Sequence, residues 1–412
     1  MSKNTQYDKN VGSGMFERHY VKTIVDRISE ANNPLMQVVV GPRQTGKSTM
    51  LGQALAKIDT EQFFISADDA IVPSEGWLQV EWQQARNATR SGSCPVVLVV
   101  DEIQKVPHWS LVVKSLYDAD RRNDTPVRVV LSGSSSLLLH KGLEDSLMGR
   151  FELIHSPHWS YSECSQAFGF SFDDYLYYGG YPGAARFASD DARWISYIRE
   201  AIIEPTISQD VLALEDIRKP ALMRALFRLG ATYSAQELSY TKMLGQLQDA
   251  GNTVTVAHYL DLLDKAGMLC GIQKYDAKAV KRRKSSPRFM VYDTSLMTAS
   301  SGIEKSRYLG EPDLRGHLVE STVGARLLAR ASEEGLGVYW WREGTKEVDF
   351  VVSKGFDSLS AIEVKSGKEK GQSGMADFLS AHPNAKRIVV GGAASGACGV
   401  EEFLKDEVEL FY

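Results

Sequence analysis

Between Leu35 and Ser156 short apolar runs (LMQVVV, QFFISA, PVVLVV, VRVVLSG and FELIHS) alternate with stretches whose apolar residues recur at helical spacing, such as Met50, Leu51, Ala54, Leu55 and Ile58. Strands that alternate with helices pair in parallel, and runs that are apolar at every position are covered by helices on both faces. The pattern predicts a doubly wound α/β nucleotide-binding core. From Trp159 to Ala213 the chain turns helical and aromatic, with a turn at Gly179-Gly180-Tyr181-Pro182-Gly183, which reads as a helical lid. Three helical patterns follow between Pro220 and Val291, the last capped by Thr253 or Thr255 and ended by Gly267. The strand-like MLCGIQKY and RFMVYD then flank a basic loop, so this stretch reads as a winged-helix-like middle region with Val256 to Leu260 on its third helix. After Ser300 come a helix from His317 to Arg330, the strands VYWWRE, EVDFVVS and SAIEVKSG, a helical stretch, and KRIVVGG, a second α/β domain. The expected divisions are a flexible leader at 1–15, the nucleotide core at 16–158, the lid at 159–219, the winged-helix-like region at 220–300 and the C-terminal α/β domain at 301–412.

A length of 412 residues agrees with two or three such units. Apolar residues at 43% and charged residues at 24% are ordinary for globular chains and exclude disordered or fibrous classes. The net charge of -5 argues against wholesale wrapping of nucleic acid but leaves room for a local basic face. Cys94, Cys164, Cys270 and Cys398 form no CxxC pair, so neither a zinc site nor a disulfide framework is expected. With no long apolar stretch and a polar N-terminus, the expectation is a cytoplasmic protein that does not enter membranes.

Gly41-Pro42-Arg43-Gln44-Thr45-Gly46-Lys47-Ser48, followed by Thr49, fits GxxxxGK[ST] after one strand run and before a helical one. Glycines at both ends let the loop curl its N–H groups and the helix N-terminus toward phosphates, and Lys47 reaches the β and γ oxygens of ATP. Ser48 is placed to hold Mg2+. Val96 to Val100 deliver Asp101 and Glu102 to the C-terminal end of a buried strand, where ligands bind in open α/β sheets. Asp101 then serves magnesium through water, and Glu102 orients or deprotonates the attacking water. The run Val127 to Leu131 ends in Ser132-Gly133-Ser134, whose hydroxyls either touch the γ-phosphate or the water, or merely form a turn and cap the helix of Leu137 to Leu139. Arg150, just before FELIHS, reads either as an arginine finger projecting from a subunit edge or as half of a surface ion pair.

GPRQTGKST, VVLVVDEIQKVP, VVLSGSSSLLL, GRFELIHSPHWS and YLYYGGYPGA occur together in this order. On them the chain resembles the AAA-type ATPases of bacteria and archaea that carry a C-terminal domain of unknown function with a restriction-endonuclease-like core. The likeness runs from about Arg18 to Val390. It implies Lys47, Asp101 and Glu102 as ATPase residues, a sensor near Ser132 to Ser134, and an arginine finger at Arg150. A finger acting in trans implies a homo-oligomer, such as a ring.

In the C-terminal domain, Glu363 and Lys365 share one face of a strand, and Asp349 on the neighbouring run can meet them. Two carboxylates and a backbone carbonyl make a hard site for Mg2+, and a nearby lysine stabilises charge on a phosphoryl oxygen or steers the attacking water. The spacing resembles the PD-(D/E)XK nuclease pattern, with Asp349 as first acid, Glu363 as second, Lys365 as the lysine, and Glu320 as the additional acid on the preceding helix. The same residues also fit a solvated strand pair. Lys278, Lys281, Arg282, Arg283, Lys284 and Arg288 either contact DNA phosphates or form a solvated loop, and Trp340-Trp341 either stack on bases or fill the core. Together these readings predict a magnesium-dependent ATPase coupled to a DNA-directed nuclease-like domain. The alternatives are an ATP-switched DNA-binding or remodelling module that does not cut, and a signalling or defence ATPase assembling on a protein partner.

Overall fold

The computed structural model describes residues 15–31, 33, 35–89, 95–133, 146–211, 217, 219–247, 252–276, 286–355, 358–365, 372–392 and 395–412. They fall into two compact units, Met1–Ser156 and Pro157–Tyr412. No helix among the described residues is long and apolar enough to cross a membrane.

In the N-terminal unit, β1 (Met36–Val40), β2 (Gln62–Ser66), β3 (Val96–Asp101), β4 (Val127–Gly133) and β5 (Phe151–His155) pair in parallel in the order β2-β3-β4-β1-β5. Alternate side chains of the inner strands enter two separate cores. Met36, Val38, Val40, Leu98, Val100 and Leu131 pack under α3 (Glu75–Thr89) and α4 (Trp109–Arg122). Val39, Val97, Val99 and Val130 pack under α1 (Tyr20–Ser29) and α2 (Lys47–Leu55). Burial on both faces is why these strands read as unbroken apolar runs. The edge strand β2 is only half-buried along its whole length, and β5 nearly so, because each has a neighbour on one side alone. A buried carboxylate ties the first helical layer: Asp120 accepts from Trp82 Nε1 at 2.7 Å and from Arg86 Nε at 2.6 Å.

In the C-terminal unit, helices Tyr161–Phe168, Phe172–Tyr178 and Asp191–Tyr197 occupy the stretch expected to be helical and aromatic. Helices Pro220–Thr232, Tyr240–Gln246 and Thr253–Lys265 precede an antiparallel ribbon, β6 (Leu269–Lys274) with β7 (Arg288–Val291). The third helix is capped by Asn252, whose Oδ1 accepts from Thr255 N–H at 2.9 Å, not by Thr253 or Thr255, since all three side chains offer the same acceptor chemistry within four residues. The ribbon is not free-standing. β6 also pairs in parallel with β8 (Gly337–Glu343), so one sheet runs through the boundary expected at residue 300, in the order β12-β10-β9-β8-β6-β7. Its other strands are β9 (Lys346–Lys354), β10 (Ser358–Val364) and β12 (Lys386–Val390), and the two-residue β11 (Gln372–Ser373) pairs with β9. The helix Pro312–Glu334 is longer at both ends than its apolar pattern indicated and stops at Gly335, whose φ is 70°. Trp340 and Trp341 are buried, which decides for the core reading.

The Gly179-Gly180 turn is forced by a buried acid. A Cβ on Gly179 would lie 2.0 Å from Asp293 Oδ1, and one on Gly180 would lie 2.2 Å from the Trp159 carbonyl. Gly180 N–H donates to Asp293 Oδ2 at 2.7 Å, and Ser295 N–H to Oδ1 at 3.0 Å, as Asp293 caps the helix Thr294–Ser301. Burial pushes this carboxyl up to about 6, against the pull of those donors. Its unfolded value is about 3.9, so between these values only the folded chain holds the proton, and the contribution to stability grows as pH falls from about 6 to about 4, by up to about 1.4 kcal/mol per unit. Asp293→Asn keeps an acceptor but does not titrate. Urea unfolding at several pH values is expected to show wild type gaining stability relative to the variant as pH falls through that window, whereas parallel profiles would contradict the assignment.

Candidate functional site

The loop after β1 bends under two constraints. Gly41 has no room for a side chain, because a Cβ would fall 2.1 Å from the Ser156 carbonyl. Gly46 and Gln44 adopt left-handed backbone, with φ of 86° and 57°. The Thr45 hydroxyl donates to the Pro42 carbonyl at 3.0 Å, closing the loop on itself. Lys47, 5% exposed as the first residue of α2, donates its ammonium to the carbonyls of Gly41 at 3.1 Å and Pro42 at 2.7 Å. A cation is therefore held inside the ring of the loop, at the N-terminus of a helix.

The C-terminal ends of β3 and β4 complete the site. Asp101, 4% exposed, accepts the Ser48 hydroxyl on Oδ2 at 2.6 Å and the Ser132 hydroxyl on Oδ1. Glu102, at φ 52°, leaves the strand in left-handed backbone and accepts from Gln104 Nε2 at 2.6 Å. Non-glycine residues held in this region are strained, and such strain collects at functional sites. A cavity of about 260 Å³ is lined by Arg43, Gln44, Gly46, Lys47, Ser48, Thr49, Asp68, Glu102 and Lys105. Its chemistry suits an anionic, metal-binding ligand: loop and helix N–H groups with Lys47 for phosphates, and the oxygens of Ser48 and Asp101 for a hard cation.

A family model described as an AAA domain matches residues 33–165. Residues 33–165 carry an AAA-type P-loop domain. Two further models, both described as domains of unknown function, DUF8612 and DUF4143, match residues 169–307 and 315–397. An uncharacterized protein of Mycobacterium tuberculosis is 29% identical over 319 residues, 76% of this chain and 67% of that protein. Another, of Haemophilus influenzae, is 21% identical over 377 residues, 87% of this chain and 89% of its own. Among solved structures the Walker-type ATPase of Pyrococcus abyssi is similar at a TM-score of 0.47 and 14% identity, over 70% of this chain and 97% of that one. The Thermotoga maritima RuvB Holliday junction branch migration motor is similar at 0.35 and 16%, over 62% and 89%.

Within the AAA domain some expectations change. Ser132 is fully buried with its hydroxyl given to Asp101, so it positions that carboxylate rather than facing a γ-phosphate. Ser134 lies outside the described residues. Arg150 is half of a bidentate ion pair with Asp118 on α4, Nε to Oδ1 at 2.8 Å and Nη2 to Oδ2 at 3.0 Å. It stands at the start of β5, which pairs with the start of β1, whereas the phosphate loop follows the end of β1. At a rise of about 3.3 Å per residue, the length of the strand separates Arg150 from its own loop. Asp68 and Lys105, which pair with each other at the mouth of the cavity, were not singled out in the sequence. They reach the site because Ser66 at the end of β2 lies in register with Asp101.

In the C-terminal unit the pairing of β9 with β10 ends at Phe350 with Ile362, one step short of Asp349 and Glu363. Asp349 Oδ2 accepts from Val364 N–H at 2.8 Å, and burial raises its carboxyl above the usual range against the pull of Arg288. Lys365 pairs with Glu363 at 2.7 Å, so acid and lysine do share a face. Glu320 and Asp349 converge on Arg288, not on an open metal position, and no group of three or more acids, histidines or cysteines among the described residues is placed to hold a metal. The reason is Arg288. Expected in the basic loop, it is buried and enters the carboxylate cluster instead. Lys278, Lys281, Arg282, Arg283 and Lys284 lie outside the described residues.

Because Gly41 abuts a backbone carbonyl, Gly41→Ala is expected to distort the loop while the sheet remains. Titration with a fluorescent ATP analogue is expected to show affinity reduced at least about tenfold, roughly 1.4 kcal/mol; wild-type affinity would show that the close approach does not shape the site.

Proposed function

We propose that the AAA domain hydrolyses ATP with Mg2+ and that turnover governs the grip of the C-terminal unit on DNA. The single observation that carries the first part is the meeting of Ser48 and Asp101 at 2.6 Å beside Lys47. The amides of Gly41 to Thr49 bind the phosphates, and Lys47 neutralises their β and γ oxygens. Ser48 and Asp101 would hold magnesium, which when bound supplies charge neutralisation to the phosphoryl oxygens. Glu102, aimed into the cavity, orients the attacking water and accepts its proton. Ser132 fixes Asp101 so that it need not reorganise during turnover. Arg150 cannot serve its own site, and in an oligomer it would leave Asp118 to stabilise phosphoryl charge on a neighbouring chain.

The second part draws on the basic run from Lys278 to Lys284, which joins β6 to β7. Lysine and arginine contacts to phosphate give sequence-independent, salt-sensitive affinity. Binding without cutting is the reading of the C-terminal unit that agrees with its carboxylates being engaged by Arg288.

Lys47→Ala and Glu102→Gln are each expected to lower ATP turnover at least about 100-fold, with Glu102→Gln still binding ATP. Arg150→Ala is expected to be inactive alone and to regain turnover when mixed with Lys47→Ala, since each supplies what the other lacks. Unchanged single-variant rates would end the ATPase reading, and mixtures that stay inactive would end the action in trans. Adding duplex and single-stranded DNA to the same assay tests coupling: turnover that ignores DNA points to a protein partner.

A further inference from the structure

Among the described residues Arg288 is one of the largest buried side chains, at 2% exposure. Its Nη1 donates to Glu320 Oε1 at 3.3 Å and to the Asp349 carbonyl oxygen at 3.1 Å, and lies 3.8 Å from Asp349 Oδ1. Its Nη2 pairs with Glu347 Oε1, while Arg342 Nε takes the other oxygen of Glu347 at 3.0 Å. The Trp340 ring lies 5.4 Å from both guanidinium carbons, closing one side to water. Glu320 and Asp349 are two of the three acids that the nuclease-like spacing assigns to a metal. In this fold they address one guanidinium nitrogen.

An arginine in this position differs from a lysine or a histidine. A guanidinium keeps its charge on burial, and its planar fork matches several oxygens at once. Adding a divalent ion while it stays in place would set two cations side by side. The remaining acid, Glu363, is already paired with Lys365.

We propose that Arg288 is the resident cation of this cluster: it holds the charge-balancing position between Glu320 and Asp349 that a divalent ion would otherwise take, and so keeps the C-terminal unit from metal-dependent cleavage. This rests on the nuclease-like reading of Asp349, Glu363 and Lys365 and is independent of ATP turnover. Lys365 remains beside Glu363, and phosphate binding without hydrolysis is what such a site offers.

The test counts Mn2+ bound to the full chain without nucleotide, by electron paramagnetic resonance, in wild type, Asp349→Asn, Arg288→Met and the double variant. The AAA site is common to all four, so differences report on the cluster alone. Wild type and Asp349→Asn are expected to bind the same number of ions. Arg288→Met is expected to bind one ion more than wild type, lost again in the double variant. Arg288→Gln, which keeps a donor without the charge, replaces the methionine variant where circular dichroism shows the latter unfolded. A wild-type ion that Asp349→Asn loses overturns the proposal, as does a folded Arg288 variant that gains none. Failure of both Arg288 variants to fold, with equal counts in wild type and Asp349→Asn, upholds it, since the cluster then does not exist without its own cation.

Discussion

Two hydroxyls meet the two oxygens of one buried carboxylate, and the functional end of the AAA domain is organised around that junction. Asp101 closes β3, Ser132 lies near the end of β4, and Ser48 opens the helix that follows β1. β4 lies between the other two strands in the sheet, so the contacts lock their C-terminal ends into one rigid edge. A carboxylate at 4% exposure is tolerated because it accepts hydrogen bonds on both oxygens, and the hydroxyls that donate them hold it in place.

The C-terminal unit handles buried charge differently. Where Asp101 is met by neutral hydroxyls, Asp349, Glu320 and Glu347 are met by a guanidinium. Removing one partner of such a network leaves an uncompensated charge and destabilises strongly, so it constrains the fold more than it contributes net stability. Asp293 is a third solution: a buried acid satisfied by backbone N–H groups, whose proton is held more tightly than in water. The three sites show that a carboxylate is given different chemistry by what faces it.

The parallel sheet was legible because strands covered on both faces are apolar at every position, and the phosphate loop because its spacing is local. β2 was found in spite of half-exposure, since Phe63, Phe64 and Ile65 still form a run. What the sequence hid depends on contacts between distant residues. Asp68 and Lys105 join the cavity through the β2–β3 register, which no local pattern encodes. Arg288 sits beside a basic run and shares its composition, yet its burial is decided by acids at positions 320, 347 and 349. Arg150 was readable only as two alternatives, and the pairing with Asp118 on α4 supplies the ion pair without removing the finger, because a neighbouring chain is a separate question from the chain's own contacts.

The account depends on Asp101 serving a phosphate-bound cation, and the direct measurement is ATP affinity with and without Mg2+ in wild type and Asp101→Asn. Wild type is expected to bind ATP at least about tenfold more tightly with Mg2+, and the variant to lose most of that gain while keeping its metal-free affinity. An identical magnesium effect in both proteins, or no ATP binding by the wild type, would contradict it.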